Sequence, residues 1–330
     1  MRGAMKGILI DDDKNLHWQD TETPEVGEGQ VRIKIHATAI NRADLMQRRG
    51  FYPPPPGAST IMGLECAGEI DQVGQGVDRW RKGDGVCALL PGGGYAEYAV
   101  AHEGSVLPVP SGFSYAEAAA LPEVFATVWL NLFMQAELTE GEKVILHAGG
   151  SGIGTAGIQL CKSFGNPCYV TVGSDEKLQR CLSLGAAAGT NRHQQPFLDK
   201  AREFAGDEGI GVILDPVGGS YLKDNINLLA LEGRLVLIGL MGGGVTEIDL
   251  SLLLGKRLKV IGSTLRTRTD QAKARIMAEL EENVWPKLAS REITPIIDTR
   301  MPITETSAGH DLIASDNTFG KVVMIVVGSL

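Results

Sequence analysis

The feature that most constrains the fold is a glycine cluster at residues 147–154, HAGGSGIG, between an apolar run and a segment of helical composition. The apolar run, Val144–Ala148, predicts a buried strand, and the apolar stripe at Ile158–Cys161 predicts a helix. Glycine lets a backbone turn sharply and approach a ligand without a Cβ clash. A strand that turns through glycines into a helix offers free amides and a positive dipole end to an anion.

Further apolar runs follow this turn and are separated by segments of helical composition: Tyr169–Val172, Val212–Asp215, Arg234–Gly239 and Lys259–Leu265. Continuous apolar strands that alternate with helices indicate a parallel sheet covered on both faces. Residues 123–269 are therefore predicted to form a doubly wound α/β domain of the Rossmann type, with a dinucleotide pyrophosphate at the glycine turn. A literal GxGxxG at Gly152, Gly154 and Gly157 lies out of register, because the turn must begin directly after Ala148.

The end of the second strand of this domain favours NADPH over NADH. NAD sites usually place a carboxylate there to bind the ribose hydroxyls, whereas this strand ends in Val172, Gly173 and Ser174. The Ser174 hydroxyl can bind a 2′-phosphate, and Lys177, one helical turn on, can neutralise it.

Two acidic residues and one cation complicate this choice. Asp175 and Glu176 would lie in the first turn of the next helix, where acids complement the helix dipole, although a carboxylate there could also serve NAD. Arg192 is either a second phosphate ligand or an ordinary surface cation.

The remainder of the chain predicts a second, β-rich domain formed by residues 1–122 and 270–330. Gln30–Ala39 alternate apolar and polar side chains, and shorter strand-like segments are Cys66–Val73, Gly85–Leu90 and Ala96–Val100. Gln271–Leu288 has helical composition, and short strands are expected from Thr294 to Leu330, so that this tail rejoins the first domain.

Composition excludes several classes of protein. A net charge of −9 argues against nucleic acid as the main partner. The 5 cysteines form no CxxC pair and indicate reduced thiols. The longest apolar run, Val322–Val327, is too short to span a membrane, and Ile8–Ile10 run directly into Asp11–Asp13, so no secretory signal is expected. A cytoplasmic protein that binds small molecules is predicted.

Several motifs occur together in one order: AINRADLMQRRGFYPPPPGAS (39–59), GLECAGEI (63–70), HAGGSGIGTAGIQL (147–160) and GLMGGG (239–244). Over nearly the whole chain, this set resembles the medium-chain dehydrogenase/reductases. Within them it is similar to the zinc-independent quinone oxidoreductases, above all to the p53-inducible quinone oxidoreductase group. The resemblance implies a GroES-like catalytic domain, a Rossmann cofactor domain, NADPH as cofactor and a homodimer paired through the edge segment Lys259–Leu265.

Carried over residue by residue, the resemblance implies three groups of cofactor contacts. The pyrophosphate loop is Ala148, Gly149, Ser151, Gly152, Ile153 and Gly154, and the adenosine phosphate lies near Gly173, Ser174 and Lys177. The nicotinamide side is formed by Thr127, Gly239, Leu240 and Met241, with Phe319, Gly320 and Lys321 near the cofactor. Arg192 stands where relatives commonly have a tyrosine, which makes a contact with the 2′-phosphate plausible.

The resemblance also implies that no metal is bound. Zinc-containing relatives have metal ligands where this chain has Asn41, Leu64 and Glu123, and Ala43 replaces their proton-relay hydroxyl. Catalytic zinc needs three protein ligands of the cysteine, histidine or carboxylate type, and Leu64 cannot supply one.

Hydride transfer without a metal favours an electron-poor acceptor, because the hydroquinone anion spreads its charge over a ring. The expected acceptor is a small quinone. Tyr52 is the candidate to bind the acceptor oxygen or deliver its proton, Asn41 to donate an amide hydrogen bond, and Asp44 to orient Asn41 or a water. Packing or capping roles are the alternatives for all three. Glu65 and His147 are expected to be structural.

Two other functions stay open. One is reduction of α,β-unsaturated carbonyls, which also need a hydride aimed at an electron-poor carbon in an apolar cleft. The other is a nucleotide-sensing, structural or RNA-binding role of the ζ-crystallin type.

Overall fold

The computed structural model describes residues 4–326, and the chain divides into two compact units. Unit 1 comprises Met1–Ala126 and Leu265–Leu330, and unit 2 comprises Thr127–Thr264. The sequence of unit 2 is thus inserted between the two stretches that build unit 1.

Among the described residues the strands are β1 (Ala4–Ile10), β2 (Leu16–Glu22), β3 (Gln30–Ile40), β4 (Glu65–Val73), β5 (Gly85–Leu89), β6 (Tyr98–His102), β7 (Val106–Pro108), β8 (Val144–Leu146), β9 (Cys168–Val172), β10 (Ala188–Asn191), β11 (Ile210–Asp215), β12 (Leu229–Leu237), β13 (Lys259–Gly262), β14 (Ile297–Pro302) and β15 (Lys321–Ile325).

The α-helices are α1 (Arg42–Arg48), α2 (Tyr115–Ala118), α3 (Pro122–Val128), α4 (Gly152–Ser163), α5 (Asp175–Leu184), α6 (Leu198–Ala205), α7 (Gly219–Leu228), α8 (Leu250–Lys256), α9 (Asp270–Asn283), α10 (Trp285–Ala289) and α11 (Thr306–Ala314). A π-helix spans Trp129–Gln135, and short 3₁₀ helices span Glu103–Ser105 and Ile303–Glu305.

Unit 2 contains a six-stranded parallel sheet in the order β10-β9-β8-β11-β12-β13. This is the strand order of dinucleotide-binding folds, which reverses direction between β8 and β11 and so opens a crevice at their carboxyl ends. Every residue of β9 and β11 is buried, which explains why both strands are continuous apolar runs. The predicted parallel sheet is confirmed.

Two of its strands end earlier than their apolar runs suggest. β8 stops at Leu146 because the chain turns at once, with Ala148 in the left-handed region at φ +57°. β13 stops at Gly262 instead of continuing to Leu265. In both places one more backbone hydrogen bond to the neighbouring strand follows the last strand residue, from His147 to Leu214 and from Ser263 to Leu237.

Unit 1 is built on a seven-stranded sheet in the order β14-β15-β3-β4-β5-β7, in which β6 also pairs with β3. β1 and β2 form a separate antiparallel pair. In β3 the residues Val31, Ile33 and Ile35 are fully buried while Lys34 is exposed, as the alternation predicted. The strand expected at Ala96–Val100 lies two residues later, as β6.

The carboxyl-terminal stretch differs from the expectation. The helix expected at Gln271–Leu288 is two helices, α9 and α10, which separate at Val284 just before Pro286. The expectation of short strands alone from Thr294 to Leu330 is wrong, because α11 lies between β14 and β15. Residues 327–330 lie outside the described part of the chain.

Candidate functional site

The glycine turn of unit 2 is held against the neighbouring strand. The amide of Gly149 donates to the carbonyl of Thr171 on β9 at 2.9 Å. A Cβ at residue 149 would lie 2.7 Å from the side chain of Val170, so only glycine fits there. Gly154 is equally restricted, since its Cβ would lie 2.5 Å from the carbonyl oxygen of Ala148. The turn therefore depends on Gly149 and Gly154 for its shape.

The amino terminus of α4 opens from this turn. The Ser151 hydroxyl accepts a hydrogen bond from the Gly154 amide at 3.0 Å and so caps the helix. The amides of Gly152 and Ile153 come first in the helix, where no intrahelical carbonyl is available to them. Amides in this position, at the positive end of the helix dipole, fit a pyrophosphate. Gly157 instead packs on Leu146, where a Cβ would lie 3.0 Å from its side chain, so its requirement is helix-to-strand packing.

Beyond β9 the residues expected near the adenosine phosphate come together. The Ser174 hydroxyl caps α5 by accepting from the Lys177 amide at 3.2 Å. The Arg192 amide donates to the carbonyl of Val172 at 2.9 Å, and its guanidinium lies over Gly173. A Cβ at residue 173 would lie 3.3 Å from Nη1 of Arg192, so glycine makes room for that group.

The two acids that follow are turned to other partners. Asp175 accepts from Nδ2 of Asn191 at 3.0 Å and from Nε2 of Gln194 at 2.6 Å, which ties the start of α5 to the end of β10. Glu176 lies 3.9 Å from Arg180, one turn along the helix, and is exposed. Both lie in the first turn of α5, as the sequence predicted.

A buried polar network centred on His147 lies next to the glycine turn. Nδ1 of His147 lies 3.0 Å from the Thr171 hydroxyl, and its Nε2 lies 2.8 Å from Oδ1 of Asn225. Nδ2 of Asn225 in turn donates to Asp215 at 2.9 Å. Burial lowers the pKa of His147, which keeps the ring neutral. The sequence placed His147 in the core, but nothing in it pointed to its hydrogen-bond partners on β9 and α7.

The segments expected on the nicotinamide side lie in unit 2. Gly239 approaches Pro216 so closely that a Cβ would lie 2.7 Å from its carbonyl oxygen. Leu240 and Met241 follow with side chains more than half exposed, at 59% and 54%. Thr127 is buried, and its carbonyl accepts from Nδ2 of Asn131 at 2.7 Å.

In unit 1 the structure brings Asn41 and Lys321 together on a carboxylate. Nζ of Lys321 lies 2.7 Å from Oε1 of Glu65, 2.6 Å from Oδ1 of Asn41 and 3.1 Å from the carbonyl of Ile40. Nδ2 of Asn41 donates to the same Glu65 oxygen at 2.8 Å. Lys321 and Glu65 are both buried, so this is an interior ion pair. The amide of Asn41 is thus engaged at both its oxygen and its nitrogen.

Asp44 lies near the cluster of Lys321, Glu65 and Asn41 and is fully buried. Its carboxylate accepts from the backbone amide of Asn41 at 2.8 Å, from the Gly63 amide at 3.2 Å and from the Tyr95 hydroxyl at 2.9 Å. Burial raises its pKa to about 6, against the opposing effect of these donors. The structure places Asp44 in a capping box with Asn41 at the start of α1, in which the Asp44 carboxylate accepts from the Asn41 backbone amide.

Glu123 stands beside the same carboxylate. Its amide donates to Oε2 of Glu65 at 2.9 Å. Burial, and then the neighbouring negative charge of Glu65, raise the pKa of the Glu123 side chain to about 8. A carboxyl with such a pKa is mostly protonated at neutral pH.

The positions that hold metal ligands in zinc-containing relatives do not fit zinc. Leu64 is fully buried and has only hydrocarbon to offer. The ammonium of Lys321 lies 2.6 Å from Oδ1 of Asn41, so a protein cation already occupies the position next to Asn41. Over residues 4–326, no three histidine, cysteine or acidic side chains are grouped as metal ligands. The donor set here lacks the ligands that zinc requires.

Phe319 and Gly320, the two residues before Lys321, have structural contacts of their own. The Phe319 amide donates to Oδ1 of Asp298 at 2.8 Å, and the ring is buried. Gly320 has φ +98°, and a Cβ there would collide with the carbonyl oxygen of Ile296. This conformation directs the chain into β15, which carries Lys321 to Glu65.

Tyr52 lies in the loop after α1 and is half-buried. Its ring packs under the guanidinium of Arg266, a residue that the sequence interpretation did not single out. One signal in the sequence could have drawn attention to Arg266. It is the only charged residue in the segment VIGSTLR (260–266), whose other side chains are apolar or small, but the sequence does not reveal its partners.

None of the helices in residues 4–326 combines the length and the apolar character needed to cross a bilayer.

Comparison with known proteins agrees with this architecture. Residues 27–111 match the alcohol dehydrogenase GroES-like domain, and residues 152–282 match the zinc-binding dehydrogenase family. The chain is 30% identical to the quinone oxidoreductase of Rattus norvegicus over 312 residues, which cover 93% of this chain and 92% of the relative.

Solved structures of the same architecture superpose over nearly the full length. A quinone oxidoreductase of Pseudomonas syringae pv. Tomato gives a TM-score of 0.85 at 25% identity, covering 98% of this chain and 100% of its own. An NAD-dependent alcohol dehydrogenase gives 0.84 at 27% identity, covering 99% and 100%. The expected GroES-like and Rossmann fold class is confirmed, and such a fold implies a nicotinamide cofactor. This chain belongs to the medium-chain dehydrogenase/reductase superfamily of oxidoreductases, in its quinone oxidoreductase family.

Proposed function

We propose that this oxidoreductase transfers a hydride from NADPH to small quinones, ortho-quinones among them, without a metal ion. The observation that carries the proposal is the buried Lys321–Glu65 pair, which fills with a protein cation the cluster where zinc-containing relatives have their ligands. The similar proteins of Rattus norvegicus and Pseudomonas syringae are named quinone oxidoreductases, which supports the same acceptor class.

The preference for NADPH is supported by the charges around Gly173. The Arg192 guanidinium lies over Gly173, and Lys177 follows one turn along α5. The nearest acid, Asp175, accepts hydrogen bonds from two side-chain amides, those of Asn191 and Gln194. Two cations beside Gly173 favour a 2′-phosphate, which carries about two negative charges.

The acceptor class follows from the chemistry that unit 1 can supply. Oxidation of an alcohol needs a Lewis acid or a base to hold an alkoxide, and the ligands for a metal are missing. A quinone needs less help, because its reduced form is an anion delocalised over the ring. Hydrogen-bond donors and fixed positive charge are sufficient to stabilise it.

Each group then has a defined role. The bound nicotinamide supplies the hydride. Ala148, Gly149, Ser151, Gly152, Ile153 and Gly154 hold the pyrophosphate, while Thr127, Gly239, Leu240 and Met241 line the nicotinamide side. Tyr52 delivers a proton to the acceptor oxygen. Asn41 and Asp44, whose polar groups are engaged within the protein, hold the shape of the acceptor pocket.

The cofactor assignment is tested by the KM for NADPH and for NADH in the wild type and in Lys177→Ala and Arg192→Ala. We expect each substitution to raise the KM for NADPH by about tenfold, the cost of one charge-assisted phosphate contact, and to leave NADH unaffected. Arg202→Ala, an exposed arginine on α6 paired with Asp199, is the matched control. Equal use of both cofactors by the wild type would refute the assignment.

The acceptor assignment is tested by NADPH oxidation with an ortho-quinone panel, an enone panel and no acceptor. Turnover of quinones supports the proposal. Turnover confined to enones favours the reductase of α,β-unsaturated carbonyls. Tight NADPH binding without turnover on either panel favours a nucleotide-sensing protein.

We also propose that the protein is a homodimer paired through β13. This strand is the edge of the unit 2 sheet, and apolar side chains stand exposed on it and on nearby elements of the same unit, namely Val245, Leu250, Leu254 and Val260. An exposed edge with apolar neighbours invites pairing with a second copy. The cysteines of the chain are buried free thiols, which supports a reducing compartment such as the cytoplasm.

A further inference from the structure

Arg266 is a buried cation whose hydrogen bonds all go to neutral groups. It follows β13 in the chain and is only 4% exposed. Its guanidinium donates to the carbonyls of Pro91 at 2.7 Å and Tyr52 at 3.2 Å, and to Oε1 of Gln47 at 2.8 Å. Among residues 4–326 it has no carboxylate within ion-pair distance. Its positive charge is therefore satisfied in hydrogen bonds but not neutralised by contact with an anion.

The three acceptors belong to different parts of unit 1. Gln47 is on α1, Tyr52 is in the loop that follows α1, and Pro91 begins the glycine loop after β5. Arg266 thus ties these segments together. A buried arginine that reaches three separate segments fixes their spacing more firmly than an apolar side chain could, because its planar donors have set directions.

Arg266 also contacts the ring of Tyr52. The guanidinium carbon lies 5.3 Å from the ring centroid, within the range of a cation–π interaction. One side chain therefore holds both the backbone and the ring of Tyr52. In the described part of the chain the Tyr52 hydroxyl makes no hydrogen bond, so it is available to a bound molecule.

The charges around Tyr52 act in opposite directions. Burial and the nearby Glu123 raise the pKa of the Tyr52 hydroxyl, whereas Arg266 lowers it. Arg266 itself faces Asp44, Glu123 and Lys273. The guanidinium is the group that stabilises a negative charge on the Tyr52 oxygen.

We propose that Arg266 is a positioning residue for proton transfer from Tyr52 to the reduced acceptor. The inference rests on the proposed function. The acceptor gains two electrons and a proton as hydride, the Tyr52 O–H bond breaks, and its proton goes to the acceptor oxygen. The tyrosinate that is left takes a proton back from solvent. Arg266 holds the ring in place and stabilises the charge that appears on it during this step.

The test is a double-mutant cycle of Tyr52→Phe and Arg266→Met, with kcat measured against pH on a quinone that the wild type turns over. We expect Tyr52→Phe to lower kcat about 100-fold, as for loss of a general acid. Arg266→Met should lower kcat about tenfold and shift its alkaline limb to higher pH, with the KM for NADPH unchanged. The double variant should be no slower than Tyr52→Phe, and Arg266→Lys should recover most of the rate. Arg300→Met, an exposed arginine of β14, is the control.

Gln47→Glu provides a second test if Arg266→Met does not fold. It keeps an acceptor for Arg266 but adds a negative charge beside the guanidinium, so the alkaline limb should again shift upward. An unshifted alkaline limb in Gln47→Glu, or in Arg266→Met where that variant folds, would overturn the proposal. So would a double variant whose loss equals the product of the single losses.

Failure of the proposed function would give different results from failure of the Arg266 proposal alone. If Tyr52→Phe keeps the wild-type kcat, or the wild type reduces no quinone or enone, the role of Tyr52 fails and the inference fails with it. If Tyr52→Phe is slow but Arg266→Met is not, only the role of Arg266 is overturned.

Discussion

The buried pair of Lys321 and Glu65 gives a prediction about stability that needs no assumption about activity. Lys321→Met removes an ammonium that makes three short contacts, to Glu65, Asn41 and the carbonyl of Ile40. Methionine has a similar length and no charge. Among residues 4–326, the substitution leaves the buried Glu65 carboxylate with the Asn41 side chain and the Glu123 amide as its donors.

The expected cost follows from the burial of both partners. Glu65 is 0% exposed and Lys321 is 4% exposed, so solvent cannot replace the lost ammonium. Breaking a buried ion pair by removing one partner typically costs about 3–5 kcal/mol, because the remaining charge is uncompensated. We therefore expect Lys321→Met to lower the free energy of unfolding of unit 1 by about 3–5 kcal/mol. The double variant Lys321→Met/Glu65→Gln should recover most of this loss, since the remaining amide carries no charge.

Tryptophan fluorescence in urea can report on unit 1 separately. Trp18, Trp80 and Trp285 lie in unit 1, whereas Trp129 lies in unit 2. In a Trp129→Phe background, the change in fluorescence therefore follows unit 1. Lys34→Met, an exposed lysine on β3, is the matched control and should unfold as the parent does. A loss below about 1 kcal/mol for Lys321→Met, which is the range of an exposed pair, would refute the reasoning.

Two further predictions concern pH and assembly. The pKa of Glu123 is about 8 in the folded protein, above its ordinary 4.5, so the folded state keeps a proton that the unfolded state loses between these values. The wild type should therefore lose stability as pH rises from 4.5 to 8, and Glu123→Gln should lose less. The measurement is Tm at pH 5, 7 and 9, and the same change in Tm with pH in both proteins would contradict this. Val260→Lys places a charge on the edge strand β13 and should convert the proposed dimer into a monomer. Sedimentation velocity measures this, and an unchanged dimer would mean that the interface lies elsewhere.

Local patterns in the sequence were sufficient to predict the parallel sheet and the glycine turn. β9 and β11 are buried on both faces, which leaves a continuous apolar run, and the turn needs glycine at positions 149 and 154 because neighbouring atoms leave no room for a Cβ. The same reasoning missed α11. Its buried positions are Thr306, Gly309 and His310, so the helix has no apolar stripe to recognise.

The polar contacts of unit 1 could not be predicted in this way. Lys321 and Glu65 are 256 positions apart, and Arg266 and Gln47 are 219 apart. A lysine or an arginine in a sequence is normally assigned to the surface, because burial of an unpaired charge is costly. These two cations are buried because distant segments supply their acceptors, and that information is only in the tertiary structure.

The two buried cations of unit 1 have different parts in the reaction that we propose. Lys321 is paired with Glu65 and so contributes little net charge, whereas Arg266 donates only to neutral oxygens and keeps its full charge. Of the neighbouring acids, Glu123 is mostly protonated at neutral pH, which limits how far it offsets Arg266. A fixed positive charge held next to Tyr52 costs no reorganisation when negative charge develops on the tyrosine oxygen. In the reaction that we propose, the Lys321–Glu65 pair holds the acceptor pocket together, and Arg266 supplies the positive charge that stabilises the tyrosinate.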